Sequence, residues 1–236
     1  MITIRNLVKT FGRHTVIDSV SVDIAPGRVT AILGPNGAGK TTLIKCILGL
    51  AKPEQGEIRI GDQLINGGGD YRHRIGYMPQ YARYPENLTA SEILAMIRDI
   101  RDFPKNEDTE LIDGFRIKEE WDKPFKALSG GNRQKVSAVL AFLFRPDVLF
   151  LDEPTAGLDP RSSAILKDKI RHARDNGRTI LLTSHILSEV QELADQVVYL
   201  FEGQIRLNEP MQELIRSSGE SNLERAIASK IYSEAV

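Results

Sequence analysis

Residues 29–42 read VTAILGPNGAGKTT, and no other stretch constrains the fold as tightly. An apolar strand-like run, Val29 to Leu33, passes into a loop with three glycines. The loop passes without pause into KTTLIKCILGL, where Leu43, Ile44, Ile47 and Leu48 share one helical face and Gly49 stands near the end. A strand, a glycine loop of the form G-x-x-x-x-G-K-T and a helix in that order make a phosphate loop. Gly34, Gly37 and Gly39 let backbone N–H groups wrap phosphate oxygens without obstruction from a Cβ, and Pro35, Asn36 and Ala38 fill the intervening positions. Lys40 brings a cation to the β and γ oxygens. The Thr41 hydroxyl is positioned for Mg²⁺, with Thr42 beside it, and the helix N-terminus adds its dipole. The pattern predicts an α/β fold of the P-loop NTPase kind, with a nucleotide as the expected ligand.

The rest of the 236 residues supports one large domain of this kind. MITIRNL, SVSVDI and RVTAIL read as strands, with Pro26-Gly27 as a hairpin-type turn between the second and third. GEIRIG is a further strand. INGGGDYRHR is glycine-rich but lacks the Lys and Ser/Thr of a phosphate loop, and reads as a surface loop. From about Tyr81 the strand signals stop. ASEILAMIRDIR has helical periodicity, opened by a capping box of Thr89 and Glu92, and KNEDTE reads as a solvated loop. Later come a helix from about Gly131, the strand VLFLD, a helix near Arg161 to Asn176, the strand TILLT, the helix LSEVQELAD and the strand pair QVVYLF and QIRLN. Strands alternating with helices predict a mainly parallel sheet with an antiparallel N-terminal part. The expected division is an α/β core over 1–80 and 127–208, an inserted helical lobe over 81–126, and a short tail over 209–236.

Composition excludes several classes. A net charge of −1 gives no global field toward nucleic acid or an anionic membrane. The longest strongly apolar run, Val136 to Phe144, is far below the roughly 20 residues a membrane helix needs. The N-terminus reads as a strand and not as a signal peptide. Cys46 is the sole cysteine and sits among apolar residues, as a small buried hydrophobe does. A cytoplasmic chain fits these features, and any membrane role would come through a partner.

Two further segments carry chemistry. DVLFLDEP, residues 147–154, is an apolar strand that ends in Asp152-Glu153. Asp152 suits an Mg²⁺ shell of one carboxylate plus waters and phosphates. Glu153, one residue on, points elsewhere and could accept a proton from a water attacking the γ-phosphate. LSGGNRQK, residues 128–135, places Ser129 as N-cap before Gly130 and Gly131 at a helix start, a second place where an anion can sit.

These motifs, with YMPQ at 77–80 and Ser184-His185, resemble the ATP-binding-cassette (ABC) ATPases over essentially the whole chain. The resemblance implies ATP and Mg²⁺ as cofactors and further roles. Phe11 matches the aromatic that stacks on adenine. Gln80 matches the glutamine that contacts Mg²⁺ and the water near the γ-phosphate and opens the helical lobe. Asp159 matches an aspartate that touches the other subunit, and His185 the histidine that holds the γ-phosphate. Ser129, Gly130 and Gly131 match the signature that meets the γ-phosphate of a second chain, so a homodimer is implied. The signature departs from the family at Asn132, where Gln is usual. Nothing suggests a metal site for His14, His73 or His172.

Within the family, the single cassette, with no long heptad region, cysteine cluster or basic arm, is similar to a transporter's ATPase subunit. That implies a separate integral membrane permease docked on the helical lobe, no nucleic acid, and a place on the cytoplasmic face of the inner membrane. The alternatives are a soluble ABC ATPase acting on ribosomes or DNA, and a regulatory module without turnover. The tail GESNLERAIASKI resembles the ending of ABC-2 type ATPases, which mostly serve exporters, with Ile227 where Phe is frequent. Residues 70–89 also resemble ATPase subunits of nitrous oxide reductase maturation, which work with a membrane subunit and a periplasmic protein to supply copper or sulfur.

Overall fold

The computed structural model describes residues 1–65, 69–101 and 107–233. Two compact units are distinguished, Met1–Arg72 with Thr179–Val236, and His73–Arg178.

The first unit holds two sheets. β1 (Ile2–Phe11) and β2 (His14–Ile24) form a hairpin in which Phe11 pairs with His14 across Gly12-Arg13. β4 (Gln55–Ile60) lines the other side of β1, and the two-residue β5 (Gln63–Leu64) completes an antiparallel sheet ordered β2-β1-β4-β5. The second sheet centres on β3 (Val29–Leu33), every residue of which is buried. It runs parallel to β8 (Thr179–Thr183) on one edge and to β9 (Gln196–Phe201) on the other. β10 (Gln204–Pro210) pairs antiparallel with β9. With both edges of β3 taken, Pro26-Gly27 cannot close a hairpin. It is a turn that carries the chain from one sheet to the other, which corrects the expectation of a hairpin there.

The helix after β3, α1 (Lys40–Ile47), buries Leu43, Ile44, Cys46 and Ile47. The carbonyls just past its end, those of Leu48 and Gly49, are satisfied from the segment expected to be a surface loop. Asp70–Arg74 is a 3₁₀ helix, Tyr71 is buried, and its hydroxyl donates to the Leu48 carbonyl at 3.1 Å. Arg72 adds a bond to Gly49 O at 3.2 Å. Part of that glycine-rich stretch, residues 66–68, lies outside the described residues. The expected tail is also structured. After α6 (Leu187–Leu193), β9 and β10 come α7 (Met211–Ser218) and α8 (Leu223–Ser233). Leu223, Ala226 and Ile227 are buried.

In the second unit β6 (Ile75–Met78), a strand that sequence reading passed over, runs parallel to β7 (Val148–Asp152). α2 (Ala90–Arg101) has the expected capping box: Glu92 N–H donates to Thr89 Oγ1 at 3.2 Å and Thr89 N–H to Glu92 Oε2 at 2.8 Å. α3 (Glu110–Gly114) and 3₁₀ turns at Ile117–Glu120 and Phe125–Ala127 lead to α4 (Gly130–Phe142), whose apolar run is buried. α5 (Pro160–Asp175) follows β7. The described part of KNEDTE is not simply solvated. Asp108 and Glu110 each accept a 2.6 Å bond from the ammonium of Lys169, a buried residue of α5. A lysine withdrawn from water needs such partners, and the acidic run supplies them. No helix among the described residues is long and apolar enough to cross a membrane.

Candidate functional site

Parallel strands with helical returns gather loops at the carboxyl ends of the strands, where ligands of open α/β sheets bind. Each unit puts candidate residues there.

In the first unit the phosphate loop springs from the end of β3. A Cβ on Gly34, which has φ +145°, would run into the Leu200 carbonyl of β9, so only glycine lets the chain turn there. Pro35, Asn36 and Gly37 are exposed at the rim, while Ala38 and Gly39 are buried. Gly39 N-caps α1 in the left-handed conformation, and no side chain caps that first turn. The turn is therefore open to an anion, which would meet its N–H groups and the positive end of the helix. Lys40 folds back over the loop, and its ammonium donates to Gly34 O at 2.6 Å and Pro35 O at 3.0 Å. Thr41 is exposed, and Thr42 half-buried, on the first turn.

His185 follows β8, next to β3. With Gly34 and Pro35 it lines a cavity of about 420 Å³ whose opposite wall is α8, through Glu224, Ile227 and Ile231. The neighbourhood of β3 and β8 brings His185 to the phosphate loop. Sequence reading did not foresee α8 as a wall of the same cavity. Phe11 is 55% exposed at the tip of the first hairpin, with the Lys9 ammonium 4.9 Å from its ring centre. An aromatic left in solvent is not a core residue.

In the second unit Met78 of β6 stands beside Leu151 of β7. Gln80, two residues beyond β6, and Asp152 and Glu153 at the end of β7 thus share one end of the strand pair. Asp152 and Glu153 are both buried, and Gln80 is half-buried. The Tyr77 hydroxyl on β6 is pushed up to about 12, mainly by burial and then by the negative charge of Asp152. Glu153 has φ +52°, a backbone state that costs a non-glycine residue roughly 1–3 kcal/mol and concentrates at functional sites. No group of three or more His, Cys, Asp or Glu side chains arranged to hold a metal occurs among the described residues. A buried carboxylate with a nearby amide suits Mg²⁺ held largely by phosphate oxygens and water, because this ion keeps much of its hydration.

Ser129 N-caps α4, its Oγ accepting from Asn132 N–H at 3.2 Å. Gly130 has open space where a Cβ would be. Arg133, in the first turns of the same helix, donates to Phe125 O and Lys126 O and stacks on the Phe125 ring. The start of α4 therefore offers N–H groups to an anion, with Arg133 engaged elsewhere. Asp159 N-caps α5, accepting from Ser162 N–H at 2.9 Å and Ser162 Oγ at 2.7 Å, and it pairs with Lys135 at 3.1 Å. The Ser162 hydroxyl first, then its N–H and Lys135, holds the Asp159 carboxyl well below the usual carboxylate range.

The family described as "ABC transporter" matches residues 17–156. The daunorubicin/doxorubicin resistance ATP-binding protein DrrA of Streptomyces peucetius is 36% identical over 222 residues, covering 92% of this chain and 67% of that protein. The Nod factor export ATP-binding protein I of Ralstonia nicotianae is 33% identical over 208 residues, 86% of this chain and 65% of that protein. The chain thus spans about two thirds of the length of these relatives. A solved ATP-binding subunit of an ABC transporter superposes with a TM-score of 0.91 at 28% identity, covering 98% of this chain and 99% of that one. A glycine cradle, an acidic strand end and a capped signature helix, within a chain more than half of which the family matches, make this protein a member of the ABC transporter family, an ATP-binding subunit with the ABC ATPase fold.

Proposed function

We propose that this chain hydrolyses ATP as one half of a homodimer and so powers a separate membrane-spanning exporter subunit. The observation that carries the reading is the difference between two helix starts. The phosphate loop has glycines, Lys40 and Thr41, whereas at the start of α4 Ser129 caps the helix, Gly130 has open space, and the Arg133 guanidinium is engaged with the Phe125 and Lys126 carbonyls. A site so incomplete suits a phosphate already held by another chain's phosphate loop.

In this reading Phe11 stacks on the adenine, residues 34–42 hold the phosphates, and Ser129, Gly130 and Gly131 of a second copy meet the γ-phosphate. Thr41, Asp152 and Gln80 would hold Mg²⁺, which would supply neutralisation of phosphate charge. Glu153 accepts the proton of the attacking water, and Gln80 orients that water. Lys40 and His185 stabilise charge on the γ-phosphate oxygens as the bond to the leaving oxygen breaks. ATP favours the closed dimer because it binds that state better, and hydrolysis removes the bridging group. Asp159 sits close to the α4 half-site through Lys135, so its loop can report closure.

Tyr81, 74% exposed, and Ile100, 68% exposed, offer apolar surface on the helical region for a permease. Export is supported by the resistance and export roles in the relatives' names. The narrower reading, copper or sulfur supply for nitrous oxide reductase maturation with a periplasmic partner, rests on residues 70–89 alone. The membrane protein that co-purifies with the chain separates the two.

The test of the chemistry is Glu153→Gln. ATP binding is expected to survive, phosphate release to fall by about 100-fold or more, and ATP-dependent dimer to accumulate on size exclusion. Normal phosphate release would remove Glu153 from its role.

A further inference from the structure

The mechanism proposed above gives no task to Gln134, a buried polar side chain that touches the segment of Glu153. Gln134 lies in the second turn of α4 and is almost fully buried. Its Nε2 donates to the Glu153 carbonyl at 3.1 Å and lies 3.4 Å from the Pro154 carbonyl. Glu153 is the residue held at φ +52°. A strained backbone persists only where its surroundings over-determine it. Here the Glu153 carbonyl takes bonds from both Gln134 and Ala156 N–H, the latter at 3.1 Å.

Neighbouring contacts join the same two segments. A Cβ on Gly131 would come within 2.9 Å of the Gly157 carbonyl, so the helix and the 153–159 loop touch backbone to backbone. One residue beyond Gln134, Lys135 pairs with Asp159. Gln134 is the member of this seam that grips the catalytic segment itself.

We infer that Gln134 is a positioning residue for Glu153: its amide clamps the Glu153 carbonyl in the left-handed conformation and so fixes where the carboxylate stands. This rests on Glu153 being the general base. Because α4 begins with the half-site for the other chain's phosphate, the clamp also ties Glu153 to whether that half-site is engaged. An amide suits the place because it donates without bringing a charge into a buried seam beside Asp152 and Glu153.

The experiment compares Gln134→Met, similar in length but without a donor, with wild type, Glu153→Gln and the double variant. Full-length protein is used, and steady-state and single-turnover phosphate release are measured. For Gln134→Met, kcat is expected to fall about 10- to 100-fold, with KM for ATP within about 3-fold and ATP-dependent dimer still forming. In the Glu153→Gln background, Gln134→Met is expected to lower the residual rate no further, because both changes disable one unit. Unchanged kcat in Gln134→Met overturns the inference. So does an additive loss in the double variant, or loss of ATP-dependent dimerisation together with kcat, since either marks a general packing role. Gln134→Asn keeps the amide but falls about 1.5 Å short and should give the same pattern; if Gln134→Met does not fold, this variant decides by the same outcomes. Should Glu153→Gln itself turn over normally, the parent reading fails, whereas a dead Glu153→Gln beside a fully active Gln134→Met sinks only the clamp.

Discussion

At the scale of single residues, Lys40 and Cys46 lie on one short helix with opposite surroundings. The Lys40 ammonium bonds to two loop carbonyls, so a phosphate must win it from Gly34 and Pro35. That exchange replaces neutral acceptors with charged ones, which make roughly twice as strong a bond. Cys46 faces the core from the next turns. Burial pushes its thiol up to about 11 from an ordinary 9. The folded state therefore holds the proton more tightly than the unfolded chain. The contribution is fully present below pH 9 and is lost as pH rises toward 11. Urea unfolding of wild type and Cys46→Ala should show a stability gap that narrows between pH 9 and 11. A gap constant across that range would contradict a buried, proton-retaining thiol.

At the scale of elements, local signals decided what could be read. Capping chemistry marked α2, and Thr89→Ala is expected to cost about 1 kcal/mol, measurable as a shift in the urea midpoint; no shift would mean the box is not stabilising. The strands TILLT and VLFLD were legible because unbroken apolar runs leave a strand little choice. β6 was not, since it has four residues and one is Gly76. A Cβ there would collide with the Ala141 carbonyl of α4, a demand made by a helix over 60 residues away and invisible locally. The 3₁₀ turn at Tyr71 was hidden for a similar reason, its purpose being to serve the end of α1. α7 and α8 are short, and helices of such length rely on packing more than on propensity. Asn222 Oδ1 caps the first turn of α8 from Arg225 N–H at 3.0 Å, and Gln191 of α6 meets Leu223 N–H at 3.1 Å. The candidate site residues could be named from sequence because phosphate chemistry dictates residue types at fixed spacing, whereas the Gln134 seam comes from tertiary packing alone.

At the scale of the molecule, each compact unit carries candidate groups at the carboxyl ends of its parallel strands, and the second adds the proposed half-site at the start of α4. The central claim is that this half-site belongs to another copy. Lys40→Ala disables the cradle of a chain and leaves its α4 start intact; Ser129→Arg does the reverse. Each variant alone should be nearly inactive, although Ser129→Arg should bind ATP as a monomer almost as wild type does. An equal mixture contains mixed dimers in which the Ser129→Arg chain's cradle faces the Lys40→Ala chain's intact signature. Phosphate release from the mixture is the deciding measurement. Turnover several-fold above the mean of the two separate variants is the expected result, and a rate no higher than that mean would contradict the shared site.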